Sequence, residues 1–174
     1  MTKKRTTTRT EVDALGPVEV PKDALYGSFT TRALANFNIS GWTAPDYFRR
    51  ALGMVKLATC QANRQLKQLP LVRARAIEQA AKEFIDGEFN DQFQIDVFQA
   101  GAGTPYNMNA NEVIANRANV LLKAPKGSYK HVHPNNHVNM AQSSNDVIPT
   151  STRLATLMGL KDLKAELKLF KKSL

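Results

Sequence analysis

Apolar side chains recur every three or four residues in three long stretches of the sequence, the spacing of one buried face of an α-helix. The first stretch ends at Pro70, the second at Gly87, and the third runs to the last residue. We expect the first two to form an αα-hairpin, with Thr43 capping the first helix and Gly87 left-handed after the second. The periodic positions are Phe48, Leu52, Val55, Ala58, Ala62, Leu66 and Leu69; Val72, Ala76, Ile77, Ala80, Ala81, Phe84 and Ile85; and Leu154, Leu157, Leu160, Leu163, Leu167, Phe170 and Leu174.

Shorter patterns lie between these helices. Residues 11–40 contain prolines and glycines with scattered apolar positions, which predicts extended segments and turns with a short helix near Leu34 and Phe37. Alternating apolar and polar residues over 93–97 predict one more short extended segment. Three asparagines within Asn107–Asn111 precede a further helix; one amide can cap it, and the other two are either part of a polar site or exposed. The predicted fold class is mainly α.

The net charge of +9 is concentrated at the two ends of the chain. Four basic residues lie within residues 1–9, and five lysines lie within residues 161–174. No aromatic residues alternate with them as they do in many proteins that stack bases, so we expect solvated surface and no nucleic-acid partner. Residues 1–10 have no periodicity and predict a disordered basic arm.

The remaining composition favours a globular protein of the cytoplasm. Hydrophobic residues make up 43% of the 174 positions, and no apolar run approaches the roughly 18 residues that span a membrane. A single cysteine, Cys60, excludes an internal disulfide framework and lies among apolar neighbours, so a buried structural thiol is expected. We expect no membrane partner.

The densest group of polar side chains occupies residues 131–153. At its centre, Gln142-Ser143-Ser144-Asn145-Asp146 precedes Pro149 and the last helical pattern. Short hydrogen-bond donors at the start of a helix suit an anion, although the same residue types are ordinary helix caps. Upstream, Gly101-Ala102-Gly103-Thr104 offers a close backbone approach and a hydroxyl, but it lacks the Lys and third Gly of nucleotide-binding loops.

Three histidines, His131, His133 and His137, lie close together in a loop that contains Pro134. No Cys or well-placed carboxylate accompanies them, and Pro134 opposes a helical spacing of ligands. We therefore expect these side chains to make hydrogen bonds, and we predict no metal site.

Two segments, GAGTPYNMNANEVIANRA (101–118) and HPNNHVNMAQSSNDVIPTSTRLA (133–155), closely resemble the aspartase and class II fumarase family. The resemblance extends upstream through VEVPKDALYGSFTTRALANFNIS (18–40) and DVFQAGAGT (96–104). Three features resemble the aspartate ammonia-lyases more than the fumarases. Tyr26-Gly27 lacks the Trp that is usual in fumarases, Met140 follows Val138-Asn139, and Arg153 follows Pro149-Thr150. Ser143-Ser144 is the pair that fumarases commonly carry, so class II fumarate hydratase is the alternative.

The resemblance implies a dicarboxylate site for aspartate or fumarate and no cofactor. Its substrate-binding residues map onto Thr104, Ser143, Ser144 and Asn145. A second anion-binding segment maps onto His133, Asn135 and Asn136. This chain departs from the family pattern at His137, where an Asp is usual, and at Pro105-Tyr106, where small polar residues are usual.

The resemblance also identifies what the sequence does not contain. The family's catalytic base is a serine on a mobile loop with the signature GSSxMPxKxNP, and a Thr-His pair comes from another segment; neither motif occurs here. Relatives are longer homotetramers whose active sites combine three subunits. We expect an inactive fragment with an N-terminal lyase domain at 11–146 and the start of the central bundle helix at 147–174. A non-enzymatic alternative is an assembly module that pairs with full-length subunits through the apolar face of residues 154–174.

Overall fold

The structure is a computed structural model that describes residues 7–173 and is mainly helical. Its elements, in chain order, are β1 (Thr8–Asp13), β2 (Gly16–Pro21), α1 (Ser28–Asn36), α2 (Asp46–Gln65), α3 (Leu71–Asp86), α4 (Thr104–Leu121) and α5 (Ser144–Ser173). A short 3-10 turn at Asn90–Gln92 and a π-helical turn at Pro134–Val138 complete them. The predicted fold class is confirmed.

The two strands form an antiparallel hairpin in which Thr8 lies opposite Pro21. Residues 8–10 therefore belong to β1, and their assignment to a disordered arm was wrong. Arg9 explains the difference, because its guanidinium donates hydrogen bonds to the carbonyls of Ala24 and Tyr26 and pairs with Glu11. The two carbonyl partners lie 15 and 17 positions further along the chain, so local composition did not reveal them. Residues 1–6 of the predicted arm lie outside the described residues.

The helices α2 and α3 form the predicted hairpin. Gly87 ends α3 in the left-handed conformation, with φ at 92°, as expected. The predicted cap at Thr43 was wrong, because α2 begins after Pro45 and Thr43 instead pairs with Asp96 in an isolated β-bridge. Cys60 is buried, as expected, and its burial raises the thiol pKa to about 12.

The predicted extended segment at 93–97 has only that isolated bridge as regular pairing among the described residues. Asp96 orders it by accepting hydrogen bonds from the backbone N–H groups of Ser40, Gly41 and Phe98. Burial of this carboxylate would raise its pKa, but the hydrogen bonds outweigh burial and lower the pKa to about 2.

The central helix α4 is buried around most of its circumference, which is typical of a helix enclosed by other elements. Its aromatic neighbours form a cluster in which Phe93 lies 5.7 Å from Phe84 and 5.5 Å from Tyr106, measured between ring centroids. Gly103 precedes α4 in the left-handed conformation, and no asparagine caps the helix. The asparagines Asn107, Asn109 and Asn111 are all buried, so exposure, one of the two alternatives, is excluded.

The last helix, α5, begins at Ser144 and includes Pro149 in its interior. The predicted domain boundary between residues 146 and 147 therefore falls inside this helix. Val147 and Ser151 are buried, whereas the leucines from Leu157 to Leu169 and Phe170 are more than half exposed. Between residues 7 and 173 there is no helix with the length and hydropathy needed to cross a membrane.

Candidate functional site

The glycine loop at 101–104 packs against the start of α5. Gly103 has φ at 71°, and a Cβ atom added there would lie 2.8 Å from the side chain of Ile148. Thr104 follows as the first residue of α4, half-buried. An open cavity of about 470 Å³ lies beside this contact and is lined by Gly101, Ala102, Asn145, Ile148, Pro149, Thr152 and Arg153. The loop and the start of α5 are thus adjacent. Of the four predicted substrate-binding residues, Asn145 lines this cavity, whereas Thr104, Ser143 and Ser144 do not.

The three polar residues at the start of α5 have different surroundings. The Ser143 hydroxyl accepts a hydrogen bond from the Asn145 N–H at 3.2 Å, so Ser143 acts as an ordinary cap. The Ser144 hydroxyl oxygen instead accepts a hydrogen bond from the Asn107 side chain at 2.9 Å. Asn145 is exposed on the cavity side. Pro149 has no N–H to donate to the Asn145 carbonyl, which leaves this first turn without one helical bond.

Behind Ser144, the buried amide of Asn107 and two half-buried amides form a network around one buried lysine. The Asn107 side-chain nitrogen donates both to the Ser144 hydroxyl oxygen and to the Asn139 side-chain oxygen, the latter at 3.1 Å. Lys56 of α2 donates to the same Asn139 oxygen at 3.0 Å and to the Gln142 side-chain oxygen at 2.9 Å. Burial lowers the pKa of the Lys56 ammonium to about 7.

The second predicted segment lies in another place. His133, Pro134 and Asn135 line a separate cavity of about 250 Å³ with the carboxylates of Asp13 and Glu112, and no residue lines both cavities. The His133 Nδ1 atom accepts hydrogen bonds from the backbone N–H groups of Asn135 and Asn136 at 3.2 and 3.3 Å. These donors, which an anion would use, are occupied by the imidazole. Anion binding by His133, Asn135 and Asn136 stays a prediction.

The imidazoles of His133 and His137 both act as hydrogen-bond acceptors. The His137 Nδ1 atom accepts the His133 N–H at 2.8 Å. Burial lowers the pKa of each ring, and nearby Arg73 lowers that of His137 further. No group of three or more His, Cys, Asp or Glu side chains in residues 7–173 is placed to hold a metal ion.

Acidification is therefore expected to destabilise this turn. Both pKa values are lower in the folded than in the unfolded chain, so the neutral rings contribute stability above about pH 6.5, and this contribution is lost as the pH falls through the folded pKa values. Urea unfolding between pH 8 and pH 5 measures the effect. The double variant His133→Asn/His137→Asn, which keeps side-chain acceptors that do not titrate, should show a weaker fall in stability. An identical pH dependence in the variant and the parent chain would contradict this explanation.

No sequence pattern predicted the hydrogen-bonded cluster formed by Lys56, Asn107, Asn139 and Gln142. One local signal existed, because Lys56 follows Leu52 by four residues and precedes Cys60 by four, which places a cation inside the apolar stripe of α2. Its partners lie 83 and 86 residues away. No pattern within a single element connects residues at those separations.

Comparison with known proteins gives the same family on sequence and on structure. A family model described as "Lyase" matches residues 16–174. A class II fumarate hydratase of Halobacterium salinarum is 54% identical over 91% of this chain and 35% of its own length. An aspartate ammonia-lyase of Pseudomonas aeruginosa is 52% identical over 91% of this chain and 34% of its own length. The chain spans about a third of the length of these relatives.

A solved structure has the same fold. The fumarate lyase:delta crystallin of Brucella melitensis in its native form superimposes with a TM-score of 0.84 and 51% identity. The match covers 87% of this chain and 34% of that protein. Relatives named for two different reactions are thus almost equally similar to this chain.

Proposed function

This chain belongs to the lyase family whose model matches residues 16–174, and we propose that it is the substrate-carboxylate-binding part of an aspartate ammonia-lyase. Its relatives are named as fumarate hydratases and as aspartate ammonia-lyases. The proposed reaction is the reversible elimination of ammonia from L-aspartate to give fumarate. The proton leaves the carbon next to the side-chain carboxylate, the carbon–nitrogen bond breaks, and ammonia departs as the double bond forms.

The difficult step is removal of a weakly acidic proton beside a carboxylate. Negative charge accumulates on that carboxylate in the intermediate, and preorganised hydrogen-bond donors stabilise such charge most effectively. The proposed donors are the hydroxyls of Thr104, Ser143 and Ser144 and the amide of Asn145. The base that accepts the proton is proposed to come from the GSSxMPxKxNP loop, which this sequence does not contain.

One observation carries the proposal: the hydrogen bond from Asn107 to the Ser144 hydroxyl oxygen. It connects α4, which begins at Thr104, to the start of α5. Because Ser144 accepts from Asn107, its own hydrogen remains available for donation. A half-buried hydroxyl with an available hydrogen at the start of a helix is a suitable partner for a carboxylate.

Hydration of fumarate is the second candidate reaction. It is favoured by the Ser143-Ser144 pair and by the 54% identity to a fumarate hydratase. Both reactions use fumarate, so the proposed carboxylate donors serve either. The residues that choose between ammonia and water as the leaving group would lie with the base outside this sequence.

Assembly is proposed as the role of the far end of α5. Leu157, Leu163, Leu167 and Phe170 are between 53% and 65% exposed, a long apolar face that several packed copies could bury. We propose a tetramer for the longer protein. The same face supports the non-enzymatic alternative of a module that pairs with full-length lyase subunits. If light scattering of the purified chain gave a monomer at all concentrations, that result would count against both assembly roles.

The purified chain is expected to bind fumarate without catalysing its formation. Titration followed by amide resonances should move the signals of residues 143–145, while ultraviolet absorbance should show no fumarate produced from L-aspartate. The physical reason is that donors are present but the base is not. Aspartate-dependent fumarate formation near the rate of a full-length relative would contradict the assignment of this chain as binding part alone. L-Malate under the same assay tests the alternative reaction.

A further inference from the structure

We propose, resting on the function proposed above, that Lys56 is a positioning residue of the dicarboxylate site: through Asn139 and Asn107 it sets the direction in which the Ser144 hydroxyl donates. Lys56 lies in the middle of α2 and would not touch the substrate. Its contribution would be to hold the amides on which Ser144 depends.

The burial of Lys56 is costly and calls for a physical explanation. The side chain is 0% exposed and is among the largest fully buried side chains of the described residues. Within residues 7–173 it forms no salt bridge, and its ammonium group donates only to two neutral amide oxygens. An apolar residue of the same length would fill the space without losing the hydration of a charge. The lysine therefore supplies something that packing alone does not require.

The two amides that receive these bonds are held in one orientation. Asn139 donates from its nitrogen to the Gln142 backbone carbonyl at 3.2 Å, and Gln142 donates from its side-chain nitrogen to the Val138 carbonyl at 2.8 Å. Their nitrogens are thereby engaged by the backbone, and both oxygens face the Lys56 ammonium group. This arrangement closes the turn between the π-helical turn and α5.

Asn107 connects these two amides to Ser144 through hydrogen bonds. Its nitrogen carries two hydrogens, one directed to the Asn139 oxygen and the other to the Ser144 hydroxyl oxygen. The Asn139 oxygen is thus shared by Lys56 and Asn107, which fixes the plane of the Asn107 amide. With its oxygen engaged as an acceptor, Ser144 has one hydrogen left, and that hydrogen is available to a substrate carboxylate.

A double-mutant cycle tests the proposal on the chain as it exists, with fumarate as the probe. Lys56→Met removes the donors at nearly constant volume and should weaken fumarate binding about tenfold, the loss of roughly one directed hydrogen bond. In a Ser144→Ala background the same substitution should weaken binding less than about twofold, because the hydroxyl it positions is gone. A general structural effect of Lys56→Met would instead be the same in both backgrounds. Lys82→Met, at an exposed position of α3, is the matched control and should leave affinity unchanged.

The outcomes separate the two proposals. Normal affinity in a folded Lys56→Met variant, or equal losses in both backgrounds, would overturn the role of Lys56 and leave the proposed function intact. Failure of the parent chain to bind fumarate at all would overturn both. If Lys56→Met does not fold, Gln142→Ala at a half-buried position removes one of the two amides that Lys56 holds. Its expected result is a severalfold loss that again disappears with Ser144→Ala, and an unchanged affinity would overturn the proposal.

Discussion

Replacing Glu112 by alanine is expected to lower the free energy of unfolding by at least about 3 kcal/mol, roughly 1 kcal/mol for each of three backbone donors that lose their acceptor in the interior. Glu112 projects from α4 to the start of α1, where its carboxylate accepts hydrogen bonds from the N–H groups of Gly27, Phe29 and Thr30 at 2.9 to 3.0 Å. The substitution is thus expected to affect stability far more than a typical surface change.

The reason for this large effect is that α1 has no cap of its own. Gly27 occupies the position before the helix and offers no side chain. The N–H groups of Phe29 and Thr30 therefore depend on Glu112, more than 80 positions away, while that of Ser28 donates to Glu11. Burial raises the pKa of Glu112, while the same three hydrogen bonds oppose that increase. A carboxylate at the positive end of a helix is favourable electrostatically, and here it also satisfies the buried N–H groups of Gly27 and Thr30.

Urea unfolding of three variants at neutral pH measures the effect. Glu112→Gln keeps one acceptor oxygen and should cost less than Glu112→Ala. Glu166→Ala, on the exposed part of α5, is the matched control and should change stability by no more than about 0.5 kcal/mol. Equal stabilities of Glu112→Ala and Glu166→Ala would show that the first turn of α1 does not need the carboxylate.

The sequence predicted those parts of the fold whose signals are local. The α2–α3 hairpin and the left-handed Gly87 follow from spacing and from one glycine, and both are confirmed. The predicted cap at Thr43 was wrong, because pairing with Asp96, 53 positions further along the chain, uses Thr43 in another way. Arg9 gave the same kind of error in the predicted arm, since its hydrogen-bond partners lie beyond the hairpin turn.

For the candidate site, too, the sequence indicated local features but not the long-range contacts. From the residues alone, Ser143, Ser144 and Asn145 fitted either a helix cap or an anion site, and their assignment to substrate binding rests on the family resemblance. The structure makes Ser143 a cap and Ser144 an acceptor from Asn107. What orients Ser144 could not be predicted from its neighbours in the sequence. That information lies in contacts with Asn107 and, through Asn139, with Lys56, which only the folded chain brings together.

The largest combined effect on stability and binding is expected from Gly103→Ala. Two costs add at this position. An alanine must adopt φ at 71°, which costs roughly 1–2 kcal/mol, and its Cβ would lie 2.8 Å from Ile148, an overpacking worth about 1–3 kcal/mol. Because the Ile148 Cβ atom also lies only 3.3 Å away, we expect the loop to move away from α5 and to carry Thr104 with it. We therefore expect both a loss of stability of a few kcal/mol and weaker fumarate binding.

Two other glycines separate these costs experimentally. Gly41 has φ at 76° with nothing within 4 Å of an added Cβ, so Gly41→Ala measures backbone strain alone. Gly101 precedes Thr104 by three residues and has open space around it without a positive φ, so Gly101→Ala tests a change within the same loop that causes neither cost. Stability should decrease in the order Gly101→Ala, Gly41→Ala, Gly103→Ala. Of the two variants with a positive φ, Gly103→Ala should weaken fumarate binding and Gly41→Ala should not. If Gly103→Ala lost stability but bound fumarate normally, the contact between the glycine loop and α5 would support the fold without forming part of the carboxylate site.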